Sequence, residues 1–168
     1  MRWALTSELD LAIEPVFEST AKLLEAGATA PDFKMNFHPK TEISLSELVQ
    51  KGPVLLNFIK GTWCPFCQTH MKHLKDWKAK LFVKNVILLV ISCESVETIR
   101  HWVQANPVDF LFGSVMDPAV FMSYGVNLEE YEFPKPATFL IERKMVVRMS
   151  YAEARGISLK EQVEKAVS

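Results

Sequence analysis

Two near-continuous apolar runs, PVLLNFI at 53–59 and NVILLVIS at 85–92, constrain this chain more than any other feature. A strand with one wet face alternates apolar and polar side chains, whereas a strand covered on both faces does not. The two runs therefore predict neighbouring strands inside a parallel sheet. Parallel neighbours need a crossover, and a helix-like stretch from about Pro65 to Phe82 lies between them. There Met71, Leu74, Trp77 or Lys78, and Leu81 keep the three-to-four spacing of a core-facing stripe.

The alternation of strand and helix continues. Ser44 and Glu47 form a capping-box pattern before a short helix. Ser95 opens a helix through Trp102, stopped by Asn106 and Pro107. VDFLFG reads as a short strand and DPAVFMSYG as a helix ended by Gly125. PATFLIE at 136–142 and VVRMSY at 146–151 flank the polar turn Arg143-Lys144, a hairpin pattern. Ser158 and Glu161 cap a last helix. At the start, residues 7–26 read as a helix, with Ser7 and Asp10 at its head, Gly27 at its end and Pro15 as an alternative first position. The expected architecture is a three-layer α/β/α sandwich with a mostly parallel central sheet and an antiparallel C-terminal hairpin. Residues 1–26 form a helical extension and 27–168 a single domain in this reading.

Composition excludes several function classes. The 168 residues carry a net charge of −1, so neither a nucleic-acid footprint nor a polybasic membrane patch is expected. The N-terminal MRWALTSELDLAIE lacks the apolar core of a secretory signal, and VILLVI is too short to cross a bilayer. Three cysteines do not make a disulfide framework. The reading is a cytoplasmic protein in which a C-x-x-C points to redox or metal chemistry.

That motif lies in FIKGTWCPFCQTHMKHL, where the first buried strand hands over to its helix. Cys64 falls at the N-cap and Pro65 at the first helical position, where its missing N–H costs nothing. Unpaired N–H groups and the positive end of the helix dipole then face the Cys64 sulfur, and both favour thiolate, the reactive form. Cys67, one turn on and expected to be the more buried, can attack a mixed disulfide formed on Cys64. Trp63 is expected to be exposed beside the pair as part of a docking surface. Cys64, Cys67, His70 and His73 repeat every three residues, but nine residues of helix rise about 13.5 Å, too far for one zinc ion. No metal or cofactor is expected. His70 and His73 read as helix-surface residues, with a local hydrogen bond near the site open to His70. Cys93 reads as a small core residue. Asn57 is the polar residue in the first buried strand and can only hydrogen-bond there.

The chain resembles the thioredoxin-fold superfamily, and more closely its alkyl hydroperoxide reductase/thiol-specific antioxidant, peroxiredoxin-like branch. APDFK, KGTWCPFC, VISCES, SYGV, PATFLIE and YAEAR carry the likeness in order. The resemblance implies a thioredoxin-like sandwich and makes Pro136 the counterpart of the cis-proline opposite the cysteines. It sets Asn57 near a position where thioredoxins keep a titratable Asp, which leaves proton transfer from Cys67 to water or to a group such as Lys60. Two features depart from peroxiredoxins. Their Thr three residues before the reactive cysteine is here Gly61, with Thr62 one residue late. Their Arg ahead of the T-F strand is here Pro136, while Arg143, Arg148 and Arg155 lie downstream. C-P-F-C is closer to disulfide reductases. The expected activity is thiol–disulfide exchange on protein or small-molecule disulfides. The alternatives are a thiol-dependent peroxidase, with Cys64 peroxidatic and Cys67 resolving, and a non-enzymatic adaptor. Either enzyme needs an external reductant such as a thioredoxin or glutathione system.

Overall fold

The computed structural model describes residues 22–38, 40–126, 134–152 and 156–167. β3 (Val54–Phe58) and β4 (Ile87–Ser92) realise the two apolar runs and pair in parallel, Leu56 beside Leu89 and Asn57 beside Val90. Every side chain of β3 is buried, as a strand covered on both faces requires. β5 (Leu111–Ser114) extends the parallel part beyond β4. On the other side β6 (Ala137–Ile141) runs antiparallel to β3, with Thr138 opposite Asn57, and β7 (Val147–Ala152) closes the hairpin.

The sheet is more mixed than the apolar pattern implies. β1 (Lys34–His38) and β2 (Thr41–Ser44) form an antiparallel hairpin that the sequence reading did not anticipate. β1 then docks antiparallel on β5. The order across the seven strands described is β2-β1-β5-β4-β3-β6-β7, so only the three central strands are parallel.

The helices follow the local signals closely. α1 (Leu45–Val49) starts at the expected capping box, Ser44 and Glu47 each bonding the other's backbone N–H. α2 (Pro65–Val83) carries the predicted stripe, completed by buried Trp77. Lys78 instead turns outward and pairs with Asp109 at 3.1 Å. α3 (Val96–Ala105) is capped by Ser95 and ends at Asn106. α4 (Pro118–Ser123) ends on Gly125, whose φ of 71° lets the Gly125 and Val126 N–H groups bond back to Met122 and Phe121. α5 (Gly156–Val167) is last. The helix expected over 7–26 lies outside the described residues except for 22–26, which are not helical. Among the described residues no helix is long and apolar enough to cross a membrane.

Strand alternation divides the core into two layers. Val54, Leu56 and Phe58 of β3 face α1, α4 and an aromatic group that includes Tyr124 and Phe139. Leu55 and Ile59 face α2, α3 and α5, together with Cys64 and Cys67. Asn57 falls between Leu55 and Ile59 in the period-two pattern and so points its side chain into the α2 layer.

Candidate active site around the cysteine pair

The loop 60–64 carries the chain from β3 into α2, and Cys64 starts the helix. Its carbonyl accepts the first helical bond, from the Gln68 N–H at 3.0 Å. Its Sγ accepts the Cys67 N–H at 3.5 Å, the bond that an N-cap side chain normally makes three residues ahead. A sulfur thus stands where Ser or Asp usually caps a helix, and it takes one of the otherwise orphaned N–H groups. Pro65 follows at the first helical position, as expected.

Both sulfurs are buried, Cys67 more so (1% exposed) than Cys64 (6%). Burial, reinforced by a hydrogen bond with the Cys64 side chain, pushes the Cys67 thiol up to about 12. The Lys60 backbone N–H reaches Cys67 Sγ at 3.4 Å. Trp63, just before the motif, and Phe66, between its two cysteines, are exposed (56% and 46%).

The loop itself is clamped by a residue that the sequence reading passed over. Glu94 accepts the Thr62 N–H at 2.7 Å on Oε1 and the Thr62 hydroxyl at 2.8 Å on Oε2. Ser92 donates to the same carboxylate at 2.6 Å, and Gln68 donates to the Thr62 carbonyl at 2.7 Å. The usable signal was a carboxylate just past the carboxyl end of a central parallel strand, where α/β sheets place their sites. Gly61 is constrained by the same loop: a Cβ added there would lie 2.3 Å from the Trp63 indole nitrogen. The indole occupies the room that a Thr side chain at 61 would need.

His70 corrects the surface reading. It is buried (6% exposed), because α2 turns this position toward β3 and β6. Its Nε2 lies 3.0 Å from Asn57 Oδ1, which also accepts the Thr138 hydroxyl at 2.9 Å. Asn57 Nδ2 donates to the Leu55 and Leu89 carbonyls, so its Oδ1 can only accept, and Nε2 must carry the proton. Burial, with a smaller contribution from His73, lowers His70 to about 4. The signal was present: His70 lies three residues from Cys67, four from Leu74 and seven from Trp77, on the buried stripe. His73 is half-buried and stacks on Trp77 at 6.3 Å between ring centroids.

Pro136 lines a tight crevice together with Phe66, Cys67 and His70. Its peptide bond does not follow expectation. No cis peptide bond occurs among the described residues, so the bond before Pro136 is trans. Trans is the intrinsically favoured isomer even for proline, and the Lys135 N–H is tied to the Val126 carbonyl, which fixes the approach to β6. Cys93 is half-buried against the aromatic layer, and burial followed by the Glu94 charge raises its thiol. Arg143 is exposed and Arg148 pairs with Glu142 at 2.9 Å; Arg155 and the acidic 127–133 stretch lie outside the described residues. Among the described residues no group of His, Cys, Asp and Glu is arranged to hold a metal.

Residues 26–150 match the family model described as the AhpC/TSA family. Alkyl hydroperoxide reductase E of Mycobacterium tuberculosis is 26% identical over 136 residues, covering 80% of this chain and 89% of that protein. Thiol-disulfide oxidoreductase ResA of Halalkalibacterium halodurans is 27% identical over 146 residues, 84% of this chain and 78% of its own. Among solved structures, the peroxidoxin BcpB of Mycobacterium tuberculosis superposes with a TM-score of 0.74 at 23% identity, covering 86% of this chain and 94% of that one. The fold is shared at that level.

Proposed function

The chain belongs to the AhpC/TSA family and is a thiol-dependent oxidoreductase; from that premise we propose that it reduces disulfides by cycling a Cys64–Cys67 disulfide. The observation that carries this is the coupled pair at the head of α2, with Cys64 Sγ capping the helix through the Cys67 N–H. A hydrogen bond of that kind strengthens when its acceptor is anionic, which suits Cys64 as the attacking thiolate. Cys67, deeper and held protonated, suits the resolving role. Cys64 thiolate attacks one sulfur of the substrate and expels the other as a thiolate, leaving a mixed disulfide. Cys67 then displaces the bound thiol, forming the Cys64–Cys67 disulfide, which an external dithiol reduces. Trp63, Phe66 and Pro136 frame the approach, and Thr62, held by Glu94, fixes the loop.

The ResA relative supports the disulfide reading, and so does the loop, where the Trp63 indole stands against Gly61 in place of a Thr side chain. The alkyl hydroperoxide reductase E relative favours a second reading, in which Cys64 attacks a peroxide and Cys67 resolves the sulfenic acid. A thioredoxin or glutathione system is the fitting reductant for either cycle, in the cytoplasm.

Cys67→Ser is expected to trap a Cys64 mixed disulfide with the substrate, read by mass spectrometry, while Cys64→Ser abolishes turnover. Failure to trap any adduct would sink the assigned order of attack. Stopped-flow oxidation by hydrogen peroxide separates the readings: a Cys64 that reacts no faster than an ordinary thiol removes the peroxidase.

A further inference from the structure

The second half of that cycle has an unmet requirement. Cys67 must lose its proton as it attacks, yet burial holds that proton tightly. Asn57 on β3, which points into the same layer, does not titrate, and its Oδ1 already accepts from both His70 and Thr138. The crevice beside Cys67 is otherwise walled by Phe58, Ile59, Phe66, Pro136 and Ala137. His70 is the remaining member of that wall and the titratable one besides Cys67.

We propose that His70 is the base that takes the Cys67 proton during resolution, which rests on the Cys64–Cys67 assignment above. Asn57 Oδ1 holds the imidazole as its Nε2–H tautomer, so Nδ1 keeps the lone pair. As Cys67 Sγ bonds to Cys64 Sγ, its proton passes to Nδ1. The bond from Cys64 to the bound thiol breaks, and that sulfur leaves with the electron pair. The leaving thiolate takes the proton back from the imidazolium, directly or through water. The two cysteines are oxidised to a disulfide, the substrate is reduced to one thiolate and one thiol, and His70 ends neutral. Asn57 and Thr138 are positioning residues in this scheme, since they act by fixing the ring. Of the titratable groups, His73 on the same helix acts on His70 and Cys67 shares the crevice with it, while β3 and β6 bring it the neutral Asn57 and Thr138. Low proton affinity at His70, about 4, keeps the base free at neutral pH.

The test is a stopped-flow reaction of the reduced full chain with an equimolar dithiobis(nitrobenzoate) probe, which releases one coloured thiolate when Cys64 attacks and a second when Cys67 resolves. In the unaltered protein the second rate is expected to stay level between about pH 5 and 9 and to fall toward pH 4, following the base. A second rate that instead climbs tenfold per pH unit across that range would show that no internal base acts, and would overturn the proposal. His70→Gln, which can still donate to Asn57, is expected to slow the second release by about 10²-fold or more at neutral pH and to restore the climb with pH. A His70→Gln protein with a normal first release and an unslowed second release would also overturn it. Loss of the first release in the unaltered protein is a different result: it removes the Cys64 assignment itself, and the base with it.

Discussion

Asn57 and Phe58 are adjacent in β3 and equally buried, yet they belong to different chemistries. Phe58 points into a dry layer where it meets Phe121, Tyr124 and Phe139 edge-on, at 5.2 to 5.9 Å between ring centroids. Asn57 points into the opposite layer, where each of its polar atoms is bonded, to His70 and Thr138 on one side and to two backbone carbonyls on the other. The first arrangement gains stability from area and contact and tolerates no void. The second holds polar atoms out of water and depends on all of them being paired. Both layers bury a hydrophobic cluster, but the cysteine pair and the polar network around Asn57 lie in only one of them.

Breaking the dry side should cost the most. Phe139→Ala removes a fully buried ring and is expected to lower unfolding free energy by about 3–5 kcal/mol in urea titrations, while the folded fraction keeps its Cys64 reactivity. Equal losses of stability and of reactivity per folded molecule would erase the division.

The polar side should show itself first through pH. His70 sits at about 4 in the fold against an ordinary 6.5, so the unfolded chain takes up the proton first as pH falls. The contribution is intact above pH 6.5 and is lost on the way down to about 4, amounting to about 3 kcal/mol in full. Urea midpoints of the wild type and of His70→Gln should therefore converge as the solution is acidified. Parallel curves would mean the ring is not held neutral by burial.

Asn57→Leu sharpens the contrast, because it is nearly isosteric and more apolar. It leaves the His70 N–H and the Thr138 hydroxyl buried without acceptors, and a loss of about 2 kcal/mol is expected from denaturant unfolding. A stabilised variant would show that this layer treats polar groups as the dry one does. Smallest is Tyr124→Phe, which removes the 2.6 Å hydroxyl bond to the Pro31 carbonyl and nothing else of the ring, at about 1 kcal/mol.

The dry side was the more legible in sequence. The apolar runs, the Ser44–Glu47 capping pair and the glycine after α4 are local signals and found their places, whereas the last helix begins at Gly156, ahead of the cap expected at Ser158. β1 and β2 were missed because KMNFH and TEIS are short and alternate too weakly to announce a hairpin, and the strand that β1 docks on is distant, Asn36 meeting Ser114 of β5. The cysteine pair was legible as a motif, and its cap geometry followed from the helix start. His70 was expected at the helix surface, with only a local hydrogen bond left open to it, because a histidine on a helix reads as polar until its acceptors are known. Those acceptors come through Asn57 and the register that sets Thr138 opposite it, 81 residues away. Glu94 escaped for the same reason, since its partner Thr62 lies 32 residues earlier.

The sulfur that closes the first turn of α2 is also the atom that the proposed chemistry consumes. Once Cys64 is bonded to another sulfur it is a poorer acceptor, and the amide of Cys67 loses much of its partner. Oxidation state is then written into how firmly the helix begins, and deuterium uptake at that single amide would read it without any dye or substrate.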